Sequence, residues 1–205
     1  MNKNIHEDLS QIRQIMESSA RFFSLSGWAG ILAGIYALIG AYFVYKIDYM
    51  SHARIYYDIY EGNYSAGALK LVLIAVLVFV FATGTAIYTS WRTAKKNGQK
   101  LWTPAARKMF YNMSLPLITG GIFGIILIFH GYIGLVAPIT LIFYGISLLL
   151  AANYTYSNIR YLGLMEIALG LISAWYIGYG LLFWTIGFGV LHILYGIFMY
   201  LRYKK

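Results

Sequence analysis

The sequence predicts an all-α, polytopic membrane protein. Of its 205 residues, 60% are apolar or aromatic and only 11% are charged, about half the charged share usual in a soluble domain. The apolar residues gather into six long runs separated by short polar stretches. The cations fall almost entirely on one side of those runs. Together these observations exclude a disordered chain, a coiled coil and an ordinary soluble enzyme.

The first 25 residues form a unit apart from the six runs. Ile5, Leu9, Ile12, Met16 and Phe23 fall near one helical face, with Glu7, Arg13 and Glu17 elsewhere. That spacing predicts an amphipathic helix, lying in the cytoplasmic interface or packed under the bundle. The segment lacks a short apolar core followed by a small-residue cleavage site, so it is not read as a signal peptide.

Residues 26–205 form the transmembrane domain. Its six spans are Ser26–Tyr45, Ala68–Ser90, Ser114–Ile133, Leu135–Ala152, Tyr161–Ile177 and Leu181–Leu201. Each approaches the roughly 20 helical residues that cross ~30 Å of hydrocarbon. Helix is required because backbone groups in lipid must bond within their own segment. A barrel is excluded because the runs do not alternate. The third and fourth spans meet near Gly134 with almost no connecting loop.

The cations set the orientation. Lys3, Arg13 and Arg21 precede the first span, and Arg92, Lys95, Lys96, Lys100, Arg107 and Lys108 lie between the second and third. Arg160 lies between the fourth and fifth, and Arg202, Lys204 and Lys205 end the chain. Only Lys46, Arg54 and Lys70 fall on the other side. The positive-inside rule therefore places both termini in the cytoplasm. The basic 92–108 segment is suited to anionic headgroups, at about 1 kcal/mol per residue near the surface, or to an acidic cytoplasmic partner. Nucleic acid is excluded, because these cations sit in a short loop rather than on a domain-sized basic fold.

The outer loop, Lys46–Gly67, is rich in tyrosine and carries Asp48, His52, Asp58 and Glu61. It reads as a short interfacial helix in an aromatic belt, or as a lid or docking surface. The mixed spacing of its carboxylates and histidine does not define a metal site. Cysteine is absent from the chain, which removes disulfides and thiolate-ligated metals. There is no phosphate-binding Gly-Lys-Ser/Thr loop, no His-Glu-x-x-His and no Gly-x-Ser-x-Gly. Accordingly no enzymatic activity, cofactor or metal is expected.

Glycine reveals internal order. Gly30, Gly34, Ile35 and Tyr42 of the first span match Gly120, Gly124, Ile125 and Tyr132 of the third, while Gly27 and Gly34 match Gly163 and Gly170 of the fifth. Among the even spans, Ile142-Phe-Tyr-Gly-Ile146 matches Ile193-Leu-Tyr-Gly-Ile197, and the second span offers Gly84. The pattern suggests three helical hairpins repeated in one orientation. Small residues at this spacing let helix backbones approach closely, here expected within one chain, with homo-oligomerisation the alternative.

Hairpins with repeated Gly-Ile/Leu runs over six spans resemble the HdeD-type bacterial inner-membrane proteins. The stretches that carry the likeness are Tyr161-Leu-Gly-Leu-Met-Glu-Ile-Ala-Leu-Gly170 and Ile193-Leu-Tyr-Gly-Ile-Phe-Met-Tyr200, within residues 135–203. The N-terminal helix and the tyrosine-rich loop depart from that pattern. The resemblance implies a six-span fold in a bacterial inner membrane and an association with acid stress. It supplies no catalytic residues.

An ionised residue inside a span costs on the order of 2.5–3.5 kcal/mol, so such residues mark function. Two qualify: Glu166, roughly 9 Å past Arg160, and His192, roughly 15 Å before Arg202 at 1.5 Å per residue. Each has glycines at i−3 and i+4, Gly163 and Gly170 for one, Gly189 and Gly196 for the other. Both therefore lie on a packing face. Glu166 also replaces the glycine that the repeat has at positions 30 and 120. A carboxyl and an imidazole sharing a polar pocket can pass a proton, with Tyr144 and Tyr195 further candidates for the pathway. Side chains lean toward the helix N-terminus, which in these antiparallel spans should separate the pair. The structural alternative is a snorkelling or capping Glu166, with His192 bonded to a backbone carbonyl or to Tyr144. His130, at the outer end of its span, reads as interfacial, and Asn153 and Asn158 as turn and cap residues.

The leading expectation is thus a small transport or permeation protein. The alternative is a regulatory or stress-response protein that binds a partner through the N-terminal helix and the basic loop. A lipid-binding or lipid-modifying role is the third.

Overall fold

The computed structural model describes residues 27–51, 66–98 and 100–203. The amphipathic helix read over residues 1–25 and the outer-loop residues His52, Asp58 and Glu61 lie outside the described residues. Among those described the structure is helical and without strands. In order the elements are α1 (Gly27–Ser51), α2 (Ala66–Lys96), α3 (Pro104–Phe129), α4 (Val136–Ala151) and α5 (Ile159–Trp175). The last span follows as α6 (Gly180–Trp184), a π-helical turn (Thr185–Leu191) and α7 (His192–Tyr203). Single 3-10 turns, Ile133–Leu135 and Ile177–Tyr179, lead into α4 and α6. Five of these stretches are long and apolar enough to cross a membrane. The 17 residues of α5 fall at the short end of the spanning range.

Exposed aromatics ring both ends of the helices. Trp28, Trp91, Trp102, Tyr111 and Tyr161 lie toward the end that carries the α2–α3 turn. Tyr42, Tyr132, Trp175, Tyr176 and Tyr179 lie toward the other. Between them the exposed side chains are mainly Leu, Ile, Val and Phe. Amphipathic rings at two levels with an apolar band between them are the outer surface of an integral membrane protein.

Several boundaries differ from the sequence reading. The first span continues past Tyr45 to Ser51, so Lys46 and Asp48, read as outer loop, belong to α1. The third span begins ten residues earlier than Ser114, because Thr103 caps the helix through Ala106 N at 3.1 Å and Pro104 follows at N1, where its fixed φ suits a helix start. The basic segment is therefore mostly helical: Arg92, Lys95 and Lys96 extend α2, Arg107 and Lys108 open α3, and the link between them is short. Asn158 stands at the start of α5, but its side chain makes no capping bond. The near-absent loop after α3 is a Schellman turn. Gly131, at φ +79°, donates to Ile128 O and Tyr132 N donates to Leu127 O, which satisfies two terminal carbonyls and reverses the chain at once.

Helix contacts are densest in two antiparallel pairs, α1 with the last span and α4 with α5, and α3 packs extensively on α4. A side chain at Gly34 would meet Gly189 O at 2.6 Å and Ile193 N at 3.0 Å; one at Gly170 would meet Pro138 O and Ile142 N at 3.0 and 3.1 Å. One at Gly196 would meet Gly27 O and Ile31 N at 2.7 and 2.6 Å, and one at Gly145 would meet Gly163 O and Ile167 N at 2.6 and 3.0 Å. The two interfaces thus share one constellation of backbone contacts. By contrast, α2 packs mainly on α1, through Gly40 against Val78 and a 3.2 Å hydrogen bond between Tyr36 and Thr85. It scarcely touches α3.

Gly145→Ala should lower stability by about 1–3 kcal/mol, because its methyl group is forced against backbone. Gly124→Ala meets side-chain atoms only at 3.7 and 3.9 Å and should stabilise by up to about 1 kcal/mol through helix propensity. Thermal unfolding of both variants in detergent checks the contrast.

Candidate functional site

The α4–α5 pair and the last span converge on Glu166. It lies on the buried face of α5 with Leu162, Gly163, Gly170 and Ser173, and none of its surface is exposed. The carboxyl group packs over Gly187 of the π-helical turn: a side chain there would meet Glu166 Oε2 and Leu141 Cδ2, each at 2.5 Å. The glycine makes room for the carboxylate. No described protein group donates a hydrogen bond to either oxygen.

His192 supplies the second group. Its Nδ1 stands 3.5 Å from Glu166 Oε1 and 3.0 Å from the carbonyl of Gly187. A carbonyl only accepts, so Nδ1 carries the hydrogen and donates it to Gly187 O. In the neutral ring Nε2 is then the acceptor, and Tyr144 donates its hydroxyl to it at 2.7 Å. Phe188 stacks on His192, at 5.9 Å between ring centroids and 19° between planes, and also touches Tyr144; Trp184 continues the row at 5.0 Å from Phe188.

The helix itself explains why these groups meet. Five residues along a regular α-helix lie about 140° around the axis, at 3.6 residues per turn. That would turn His192 away from Gly187. A π-helical turn closes on i→i+5 and returns the fifth residue above the first. Gly187 ends up close enough for the His192 side chain to fold back onto its carbonyl, while the His192 backbone N–H bonds Gly189 O. The separation expected from opposed side-chain leanings does not occur: Nδ1 and Oε1 stand 3.5 Å apart.

Other candidates fall elsewhere. Tyr195 belongs to an adjoining apolar cluster around Leu148, Ala152, Ile159 and Leu162, which Tyr144 and Leu191 also touch. Arg92, Lys95, Lys96, Lys100, Arg107 and Lys108 are all exposed at the α2–α3 corner, with Lys95 Nζ 5.2 Å over the Trp91 ring. His130 is exposed at the end of α3. No group of three or more His, Asp or Glu residues suited to a metal occurs among the described residues. Gly187, Leu141 and Phe188 were not among the sequence candidates. The glycines at 187 and 189 were a visible signal for the first, but nothing in the residues announces a π turn.

The fold and this cluster define a helical membrane protein with a buried carboxyl–imidazole–phenol row. In comparisons with family models, curated proteins and solved structures, nothing matches the chain.

The hydrogen bonds set the stability expected of variants. Glu166→Leu should raise stability by about 1–3 kcal/mol, because it removes a buried polar group that has no protein donor. Tyr144→Phe should lower it by about 1 kcal/mol by stranding His192 Nε2. Denaturation midpoints of the purified variants test both signs.

Proposed function

We propose that the protein is a six-span permeation protein of three like-oriented hairpins, and that it moves protons, with or without a coupled solute, through Glu166, His192 and Tyr144. One observation carries this reading: a fully buried carboxyl group lies 3.5 Å from an imidazole and receives no hydrogen bond from any described protein group. A carboxyl group kept only for packing would be expected to be paired. The repeated constellation in the α1–last-span and α4–α5 interfaces supports the hairpin repeat, and Glu166 stands where that repeat otherwise has glycine.

The bonded row suggests the order of proton movements. A proton reaching Nε2 from the Tyr144 side makes His192 an imidazolium. The Nδ1 proton, shared with Gly187 O, is then the one free to leave for Glu166 Oε1. The ring is left with its hydrogen on Nε2 and resets by tautomer exchange. The likeness to the HdeD-type proteins, associated with acid stress, accords with such a role.

A second reading rests on the six exposed cations at the α2–α3 corner, which suit anionic headgroups or an acidic partner and require no flux. Dissipation of a pH gradient in proteoliposomes separates the two. Wild-type protein should collapse the gradient, and Glu166→Gln and His192→Asn should fall to the level of empty liposomes. Folded wild-type protein that gives no flux under proton and alkali-cation gradients would rule out the pathway. Loss of co-purifying protein or anionic lipid on neutralising Lys95, Lys96 and Lys100 would support the second reading.

A further inference from the structure

Glu166 has a companion on its own helix. The buried face of α5 carries Ile159, Leu162 and Gly163 before Glu166, and Gly170 and Ser173 after it. The first half of that face is apolar, with Ile159 and Leu162 packed against Leu148 and Ala152. The second half is not. Ser173 is fully buried, and no described protein group bonds its hydroxyl.

Hydroxyls elsewhere in these spans behave differently. Thr89, Ser114, Thr119, Thr140, Ser147 and Thr185 each turn back onto a carbonyl three or four residues earlier in their own span. That is the ready partner for a helical hydroxyl kept from water. Ser173 has carbonyls at the same offsets and does not take them. A hydroxyl buried without a protein partner is costly unless water reaches it.

A polar atom of the facing helix stands between the two residues. A side chain at Gly170 would meet Pro138 O at 3.0 Å, so the glycine leaves that carbonyl beside the route from Glu166 to Ser173. A carbonyl oxygen has two lone pairs, and the bond within its own helix uses one. Glu166, Gly170 and Ser173 follow at i, i+4 and i+7, in axial steps of about 6 and 4.5 Å. Each step is about the reach of one water hydrogen-bonded at both ends.

We infer that Ser173 is the next station of the pathway. Glu166 exchanges its proton with the side of the membrane away from the basic α2–α3 corner, through water held by the Pro138 carbonyl and the Ser173 hydroxyl. This deepens the proton pathway proposed above and rests on it. The proton that Glu166 gives up passes to the first water, which releases one of its own toward Ser173. The hydroxyl accepts that proton and donates its own onward, so each station keeps the number it began with. Trp175, two residues on, is exposed in the aromatic ring at that end, which puts Ser173 about 3 Å beneath the interface. In the orientation proposed from the cations this is the outer side.

The absence of native cysteine makes the route readable. Ser173→Cys exchanges a single side-chain atom. In right-side-out and inside-out membrane vesicles, silver ion should block its thiol about tenfold faster from the outer side, counted by maleimide labelling after unfolding. Leu162→Cys, on the apolar half of the same face, and Leu171→Cys, exposed toward lipid, should stay unreacted. Ser173→Thr and Ser173→Val have the same shape and differ in the hydroxyl. In proteoliposomes the first should conduct protons about tenfold faster than the second. A Ser173→Cys thiol that reacts no faster than that of Leu162→Cys would overturn the outer leg, as would equal flux through the Thr and Val variants. Wild-type flux and its loss in Glu166→Gln would then keep the pathway itself standing. Wild-type protein that moves no protons, while Ser173→Cys still reacts, would overturn the proton reading and with it Ser173 as a station, leaving only a route for water.

Discussion

Everything in this molecule depends on how closely two helix backbones can approach. Lipid tails are as apolar as leucine, so burying leucine against leucine gives these spans little reason to associate, and contact distance must supply it. The chain meets the requirement with glycine opposite backbone: carbonyls of Gly189, Pro138, Gly163 and Gly27 all lie where a side chain on the facing glycine would be. Dispersion attraction falls steeply with separation, so each added methyl group would move a whole interface outward. The buried side chains then interdigitate over a frame that the glycines have set.

The polar cluster is a consequence of that frame. Glu166 lies one helical turn beyond Gly163 and one before Gly170, on the face those glycines bring against α4. Its carboxyl group cannot turn to lipid while that contact holds. His192 is positioned likewise by Gly189 and Gly196 against α1. The two close interfaces thus deliver a carboxyl group and an imidazole to the same depth from opposite sides. The weaker contacts between α5 and the last span only have to accommodate them. Tyr144 and the Phe188–Trp184 rings complete the enclosure.

Much of this was legible in the residues, and for physical reasons. Apolar runs must be helices in lipid, so the class of fold follows from hydropathy. The i−3 and i+4 glycines around Glu166 and His192 announced their helix faces, because that spacing is the helical repeat itself. Cations misled the reading at Arg107 and Lys108, where charge was taken for loop although Thr103 and Pro104 already signalled a helix start. The expected parting of Glu166 and His192 failed because sequence gives rise along each helix but not the stagger between helices. Tyr144 and Tyr195 border one apolar cluster, and what sets Tyr144 apart is its hydrogen bond to His192, a partner that spacing along one helix cannot announce.

The π-helical turn carries one residue more than an α-helical turn between the same two levels. Removing that residue would leave a straight, well-formed span that still presents glycines to α1. The carbonyl of Gly187, however, would turn away from the imidazole that Gly189 and Gly196 hold against α1. The genetic distance between a bundle whose buried imidazole is anchored on a backbone carbonyl and one whose imidazole is not is therefore a single codon. Insertion or loss of that codon within 185–191 would change the chemistry of the molecule without changing its fold.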